Sequence, residues 1–229
     1  MSASVIIPAA GVGDRMGSAV NKQFLLLRGK PIIIHTLERF QLCSAVDEII
    51  VAVQSSSRTQ IESLIREFHL TKAAKVVEGG KRRQDSVRNA LAQVDPAIDV
   101  VLVHDAVRPF VRQQIILEAI EMARSHSAAV VAVRAKDTVK IGGADGRIKE
   151  TLDRSLIWLA QTPQAFMKKL LVEAYAKAER EKFEATDDAS LVERMSLFPA
   201  IVEGSPSNIK ITTPDDLDVA ELIARRFRD

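Results

Sequence analysis

The chain has 229 residues, the length of one domain or of one domain with an appendage, and at this size about 70–75% of the extended surface is buried without help from disulfides or a structural metal. Its 32 Lys and Arg nearly cancel 30 Asp and Glu, leaving a formal charge of +2, which argues against a dedicated nucleic-acid binder but leaves room for local basic clusters. With 47% apolar and 27% charged residues, the composition is that of an ordinary soluble globular protein and excludes disorder as a description of the whole.

In chain order, a β-branched run over Ser4–Pro8 predicts a first strand. Pro31 stands at the first turn of a helix over Ile32–Gln41. A strand over Glu48–Val53 follows, then a helix over Arg58–His69 with Ile61, Leu64, Ile65 and Phe68 on one face. Lys75–Glu78 (strand), Ser86–Val94 (helix), Asp99–His104 (strand), Arg112–Ser125 (helix) and Ala128–Arg134 (strand) repeat the alternation. Asp137–Ile141 and Ile148–Leu152 flank the glycine-rich stretch 142–146 and read as a hairpin, which is marginal in water unless it lies on something. The chain resumes with a segment at Leu156–Ala160, a helix over Met167–Glu181, a segment at Asp187–Met195 and a strand over Asn208–Thr212. A terminal helix begins at Pro214, capped by Thr213 with Asp215 and Asp216 in its first turn.

The strands are nearly continuous in apolar residues, as expected when both faces are covered. The fold class is therefore α/β: a mostly parallel twisted sheet flanked by helices, with right-handed crossovers. One domain over 1–229 is expected, with 137–155 as a hairpin that could pack on its own domain or reach to a second subunit. In such sheets ligands bind beyond the carboxyl ends of the strands, which singles out the loops after Pro8, Glu78 and His104. The single Cys43 excludes an internal disulfide framework and a Cys-based zinc site, and His35, His69, His104 and His126 are scattered without metal-ligand spacing. There is neither a signal-peptide pattern nor an apolar run near the ~20 residues that span a bilayer, so a cytoplasmic protein without a membrane partner is expected.

Four loops carry candidate chemistry. The first, Pro8-Ala9-Ala10-Gly11-Val12-Gly13-Asp14-Arg15-Met16-Gly17, is small enough for its backbone to approach a ligand and present N–H groups to phosphate oxygens. Its spacing is neither the dinucleotide fingerprint nor a Walker loop, and it is followed by Lys22. A glycine loop with cations at Arg15 and Lys22 suits a triphosphate attacked at its α-phosphorus. The second loop, Gly79-Gly80-Lys81-Arg82-Arg83-Gln84-Asp85-Ser86, opens a helix, and spacing alone fits a charged turn as well as a ligand loop. In the third, His104-Asp105-Ala106-Val107-Arg108, Asp105 is placed to hold a divalent metal or a hydroxyl and Arg108 an anion; His104 reads as a packed strand residue. In the fourth, Asn208-Ile209-Lys210-Ile211-Thr212, alternation alone leaves Lys210 as a solvated charge on an edge strand.

The first loop with Lys22 resembles the signature of sugar-nucleotide pyrophosphorylases. The further set is narrower: Gly79-Gly80, Asp85-Ser86, the stretch His104 to Pro109, Asp137-Thr138, Asp153-Arg154, Gln161-Thr162-Pro163-Gln164, Thr186-Asp187-Asp188 and Asn208-Ile209-Lys210. In this order and spacing it resembles the 2-C-methyl-D-erythritol 4-phosphate cytidylyltransferase family of non-mevalonate isoprenoid synthesis, over nearly the whole chain. The resemblance implies a Rossmann-like nucleotidyltransferase fold. It implies that Pro8, Ala9, Ala10, Gly11, Gly13, Gly79, Gly80, Arg83, Ser86, Asp105 and Ala106 bind CTP. Arg15 and Lys22 match the cations that stabilise the transition state, and Arg154 and Lys210 those that position methylerythritol phosphate. Asp105, Arg108 and Thr162 would line that second pocket. The hairpin matches a dimerisation arm, with Thr138 and Arg154 reaching the neighbouring subunit's substrate. Mg2+ or another divalent cation is implied, held mainly by the triphosphate, with Asp105 as the candidate protein ligand. A cytidylyltransferase for another polyol phosphate such as ribitol 5-phosphate, and a CTP-sensing module without turnover, are the competing readings.

Overall fold

The computed structural model describes residues 2–11 and 21–227. In chain order the elements are β1 (Ala3–Pro8), β2 (Leu26–Leu27), β3 (Lys30–Pro31), α1 (Ile32–Gln41), β4 (Glu48–Val53), α2 (Arg58–Glu67), β5 (Lys75–Glu78), α3 (Arg83–Leu91), β6 (Val100–Val103), α4 (Gln113–His126), β7 (Ala128–Arg134), β8 (Lys140–Gly142), β9 (Ile148–Thr151), β10 (Trp158–Met167), α5 (Lys168–Glu181), α6 (Asp188–Glu193), β11 (Ala200–Glu203) and α7 (Pro214–Arg226). Seven strands form one sheet in the order β11-β7-β10-β6-β1-β4-β5. All neighbours run parallel except β10, which is antiparallel to both β6 and β7.

Strand alternation feeds two apolar layers. Val5 and Ile7 of β1 meet Ile33, Leu37 and Phe40 of α1, Ile61 of α2 and Ile116 of α4. Ile6, between them, faces the other way, toward Val87 and Leu91 of α3, Leu171 of α5 and Val192 of α6. Covering both faces explains why the central strands carry almost no polar residues. After β1 the chain crosses to β4 and β5 on one side, then returns to β6 on the other. The loops after β1 and β6 therefore part at a topological switch point, where an open α/β sheet leaves a crevice.

Two predicted segments change character. Asn208–Thr212 joins no ladder; it lies against the loop after β6, with the Ile211 N–H donating to Val107 O at 3.0 Å. Leu156–Ala160 is a 3-10 turn running into the much longer β10. Pairing of β10 with β7 breaks between Ala160 and Gln164, where Gln161, Thr162 and Pro163 are buried and the Thr162–Pro163 peptide is cis. The helix expected at Ser86–Val94 begins at Arg83, because Asp85 reaches back to the Arg82 N–H at 3.3 Å. Strand β11 adds an edge that the pattern did not suggest. The α7 start is as expected: Thr213 Oγ1 accepts from the Asp216 N–H, and Asp216 Oδ2 accepts from the Thr212 and Thr213 N–H groups.

The β8–β9 hairpin is exposed along its whole length and pairs only with itself. Ile141, Ile148, Leu156 and Leu159 project from it and its base. Among the described residues no helix is long and apolar enough to cross a membrane.

Candidate active site

The crevice at the switch point contains a cavity of about 150 Å³. Its floor is the backbone of Pro8, Ala9, Ala10 and Gly11; Gly80, Arg83 and Ser86 form one wall, and Asp105, Ala106 and Lys210 another, with Lys22 closing it. Four sequence-distant loops thus meet as the motifs suggested. Gly13 and Arg15 lie outside the described residues.

Small residues are required where the first two loops touch. A Cβ on Gly79 would overlap the Cβ of Ala10 and lie 3.0 Å from Ser86 Oγ, so glycine is what lets the loops close. A Cβ on Gly80 would overlap Asp85. Ser86 braces this turn: its Oγ accepts from the Gly80 N–H at 3.0 Å and donates to Arg82 O at 3.1 Å. Gln23, to which sequence reasoning gave no role, is buried and donates through Nε2 to Ala9 O at 2.8 Å. It fastens the segment that carries Lys22 to the first loop.

Asp105 is the centre of the charge arrangement. Its Oδ2 lies 3.1 Å from Arg108 Nε and 3.0 Å from Lys210 Nζ, and its Oδ1 lies 3.6 Å from Arg83 Nε. Burial alone would raise its pKa, but Lys210, Arg83 and Arg108 outweigh that and hold the carboxyl well below the usual carboxylate range. Lys210 is thus no solvated edge charge. Arg108 stands behind the cavity and also donates to Asn208 O at 2.7 Å, binding the fourth loop to the third.

The same environment argues against Asp105 as a metal ligand. It is the one acid lining the cavity among the described residues, and its oxygens are already taken up by three cations. No group of three or more His, Cys, Asp or Glu among the described residues could hold a metal ion. A protein-built metal cage therefore does not fit this site.

Thr162 and His104 support the Asp105 loop from below. Thr162 Oγ1 accepts from the Asp105 N–H at 3.1 Å and lies 3.1 Å from His104 Nδ1; His104 Nε2 lies 3.0 Å from Arg108 O. A carbonyl can only accept, so the proton sits on Nε2 and Nδ1 accepts from the threonine hydroxyl. His104 is fully buried, packed edge-on to Phe40, and burial pushes its pKa down to about 4 from 6.5. A depressed histidine pKa means that the unfolded chain binds the proton first as pH falls. Its contribution is complete above pH 6.5 and is lost on the way down to about 4, on the order of 3 kcal/mol. Asp105 loses its contribution only at still lower pH, and His35, also lowered by burial, adds a slope of the same sign. Urea midpoints between pH 7 and 4.5 are expected to fall more steeply for the native protein than for His104→Gln; parallel slopes would contradict this account.

Thr138 and Arg154 are not in this cavity. Both are exposed on the hairpin, where Arg154 Nη1 donates to Lys136 O at 2.9 Å.

A crevice at the switch point of an open α/β sheet, floored by backbone and ringed by cations, defines a binding site for a phosphate-rich, nucleotide-like ligand. A family model for 2-C-methyl-D-erythritol 4-phosphate cytidylyltransferase matches residues 3–226, and the chain belongs to that family. A protein of that name from Syntrophus aciditrophicus is 47% identical over 222 residues, covering 96% of this chain and 95% of the relative. Another from Bacillus velezensis is 48% identical over 223 residues, covering 96% and 95%. Among solved structures, the 4-diphosphocytidyl-2C-methyl-D-erythritol synthase of Anaerococcus prevotii superposes with a TM-score of 0.87 at 32% identity, covering 98% of this chain and 96% of that one. The Thermus thermophilus 2-C-methyl-D-erythritol 4-phosphate cytidylyltransferase does so with a TM-score of 0.82 at 35% identity, covering 98% and 100%.

Proposed function

We propose that the chain transfers CMP from CTP to 2-C-methyl-D-erythritol 4-phosphate, giving 4-diphosphocytidyl-2-C-methyl-D-erythritol and pyrophosphate. The observation that carries this reading is the convergence of Lys22, Arg83 and Lys210 on one cavity floored by the Pro8–Gly11 backbone, in a chain of this family. The substrate phosphate attacks the α-phosphorus in line; a new P–O bond forms as the bond to the β-phosphate breaks. A phosphate monoester is already ionised near neutral pH, so no general base is required. The obstacle is repulsion between two anions, and the protein's contribution is positioning and fixed positive charge. Lys22, with Arg15, meets charge building on the α-phosphoryl oxygens, while Lys210 receives the polyol phosphate beside Asp105, which Arg108 braces from behind. A divalent cation such as magnesium, brought by the triphosphate and not held by a protein cage, would supply further positive charge.

The arm at 137–155 joins two copies into a homodimer in the cytoplasm, and Thr138 and Arg154 serve the neighbour's site. The apolar side chains at Ile148 and Leu156, together with the exposure of Arg154 away from the chain's own cavity, support this arrangement. Arg154→Ala is expected to raise KM for the polyol phosphate more than KM for CTP, and mixing it with Lys22→Ala should recover activity that neither has alone. Equal rises in both KM values, or no recovery on mixing, would contradict the assignment.

The activity itself is tested by pyrophosphate release with CTP, magnesium and methylerythritol 4-phosphate, with ribitol 5-phosphate and the other nucleoside triphosphates alongside. Release with the first pair alone is expected. Release with ribitol 5-phosphate instead would move the substrate, and CTP binding without release would favour a sensing module.

A further inference from the structure

Asp188 opens α6 as a fully buried carboxylate that nothing above uses. The helix does not need it as a cap, because Asp187 Oδ1 already accepts from the Ser190 N–H at 3.1 Å. Gln164 of β10 fixes the turn: its Oε1 accepts from the Asp188 and Ala189 N–H groups at 3.1 and 3.0 Å, and its Nε2 donates to Asp187 Oδ2 at 2.7 Å. The Asp188 carboxylate points inward. One oxygen accepts from Tyr175 Oη at 2.5 Å, and the other lies 2.7 Å from Arg83 Nη1. Burial and the nearby carboxylate push the tyrosine pKa well above 10, so Tyr175 stays a donor. Arg83 is thus paired on two sides, closely with Asp188 through Nη1 at 2.7 Å and more loosely with Asp105 through Nε at 3.6 Å.

A buried ion pair is weak support for stability, since an apolar pair of the same shape commonly does as well. What this pair does is aim a guanidinium. Arg83 is the first residue of α3, on a loop that would otherwise leave a long side chain free to pair fully with Asp105.

We propose that Asp188, backed by Tyr175, is a positioning residue that holds Arg83 toward the nucleotide. Like the assignment of Arg83 itself, this rests on the reading of the cavity as a CTP site. With Asp188 neutral, Arg83 swings onto Asp105, and the triphosphate must compete for it.

Asp188→Asn keeps the shape of the site and removes the charge; Tyr175→Phe removes only the hydroxyl that orients the carboxylate. KM for both substrates, kcat, Tm and the calorimetric Kd for CTP are compared with those of the native protein. Asp188→Asn is expected to raise KM and Kd for CTP about tenfold, the worth of one charge-assisted contact, leaving KM for the polyol phosphate within about twofold. Tyr175→Phe should move CTP alone, in the same direction and by less. If Asp188→Asn does not fold, Tyr175→Phe decides the matter. An unchanged or lower KM for CTP, or equal rises for both substrates, would overturn the proposal. Failure of the parent reading looks different: the native protein itself would not bind CTP.

Discussion

Lys22→Ala is expected to lower kcat by at least on the order of 100-fold, about 3 kcal/mol of transition-state stabilisation, with little change in Tm. The side chain closes the cavity, while Gln23, its neighbour, fastens the segment through Ala9 O. Removing the ammonium therefore leaves the backbone anchored. In the proposed displacement, charge accumulates on the α-phosphoryl oxygens only as the attacking phosphate arrives, so a fixed cation there acts mainly on kcat rather than on KM for CTP. Steady-state kinetics with both substrates decides this; a kcat within about tenfold of the native value would remove Lys22 from the chemistry.

Lys210→Ala should have the next largest effect, a fall in kcat/KM for methylerythritol phosphate of about 100-fold. Nζ sits 3.0 Å from Asp105 Oδ2, and Lys210 is foremost among the charges that hold this buried carboxyl ionised, so a fall in Tm accompanies the loss of rate. Arg108 and Arg83 still face Asp105 in the variant, which keeps the carboxylate ionised and its loop in place. The loss therefore falls on the incoming anion. Lys210→Arg restores charge but not shape and should recover only part of the rate. If Lys210→Ala lost Tm and left kcat/KM near the native value, the lysine would be a brace and not a ligand.

The central sheet was legible because its strands announce themselves: Ile49–Val53 is an unbroken apolar run, and the predicted bounds Glu48–Val53 coincide with the strand. Where the prediction strayed, the deciding interactions lie far off in sequence. Gln161, Thr162 and Gln164 look like a polar break, yet they continue β10 because their side chains meet the Asp105 N–H, Ser205 O and Asp187. Asn208–Thr212 alternates like a strand, but alternation reports extended backbone and cannot report pairing. In the site, small residues and glycines marked the first two loops. Lys210 carried no local signal at all, since its partner Asp105 belongs to another loop, and only the resemblance gave it a role. Gln23 was silent for the same reason, and Asp188, quoted only as part of a motif, had no role of its own: their work is done by contacts across the fold.

The ring of Arg83, Arg108 and Lys210 around Asp105 bears on how the resting protein keeps so much like charge together. Without an anion among them the three cations would repel, and the loops that carry them would be pushed apart. Asp105 serves as a resident counterion. On the proposed function, an arriving phosphate would meet an occupied site and bind by ion exchange, displacing a carboxylate that stays tethered nearby. Simple salts, monovalent and untethered, compete poorly with either anion, so substrate affinity should vary only shallowly with ionic strength. On product departure the tethered carboxylate would fall back into place, recharging the site for the next turnover without waiting for an ion from solution.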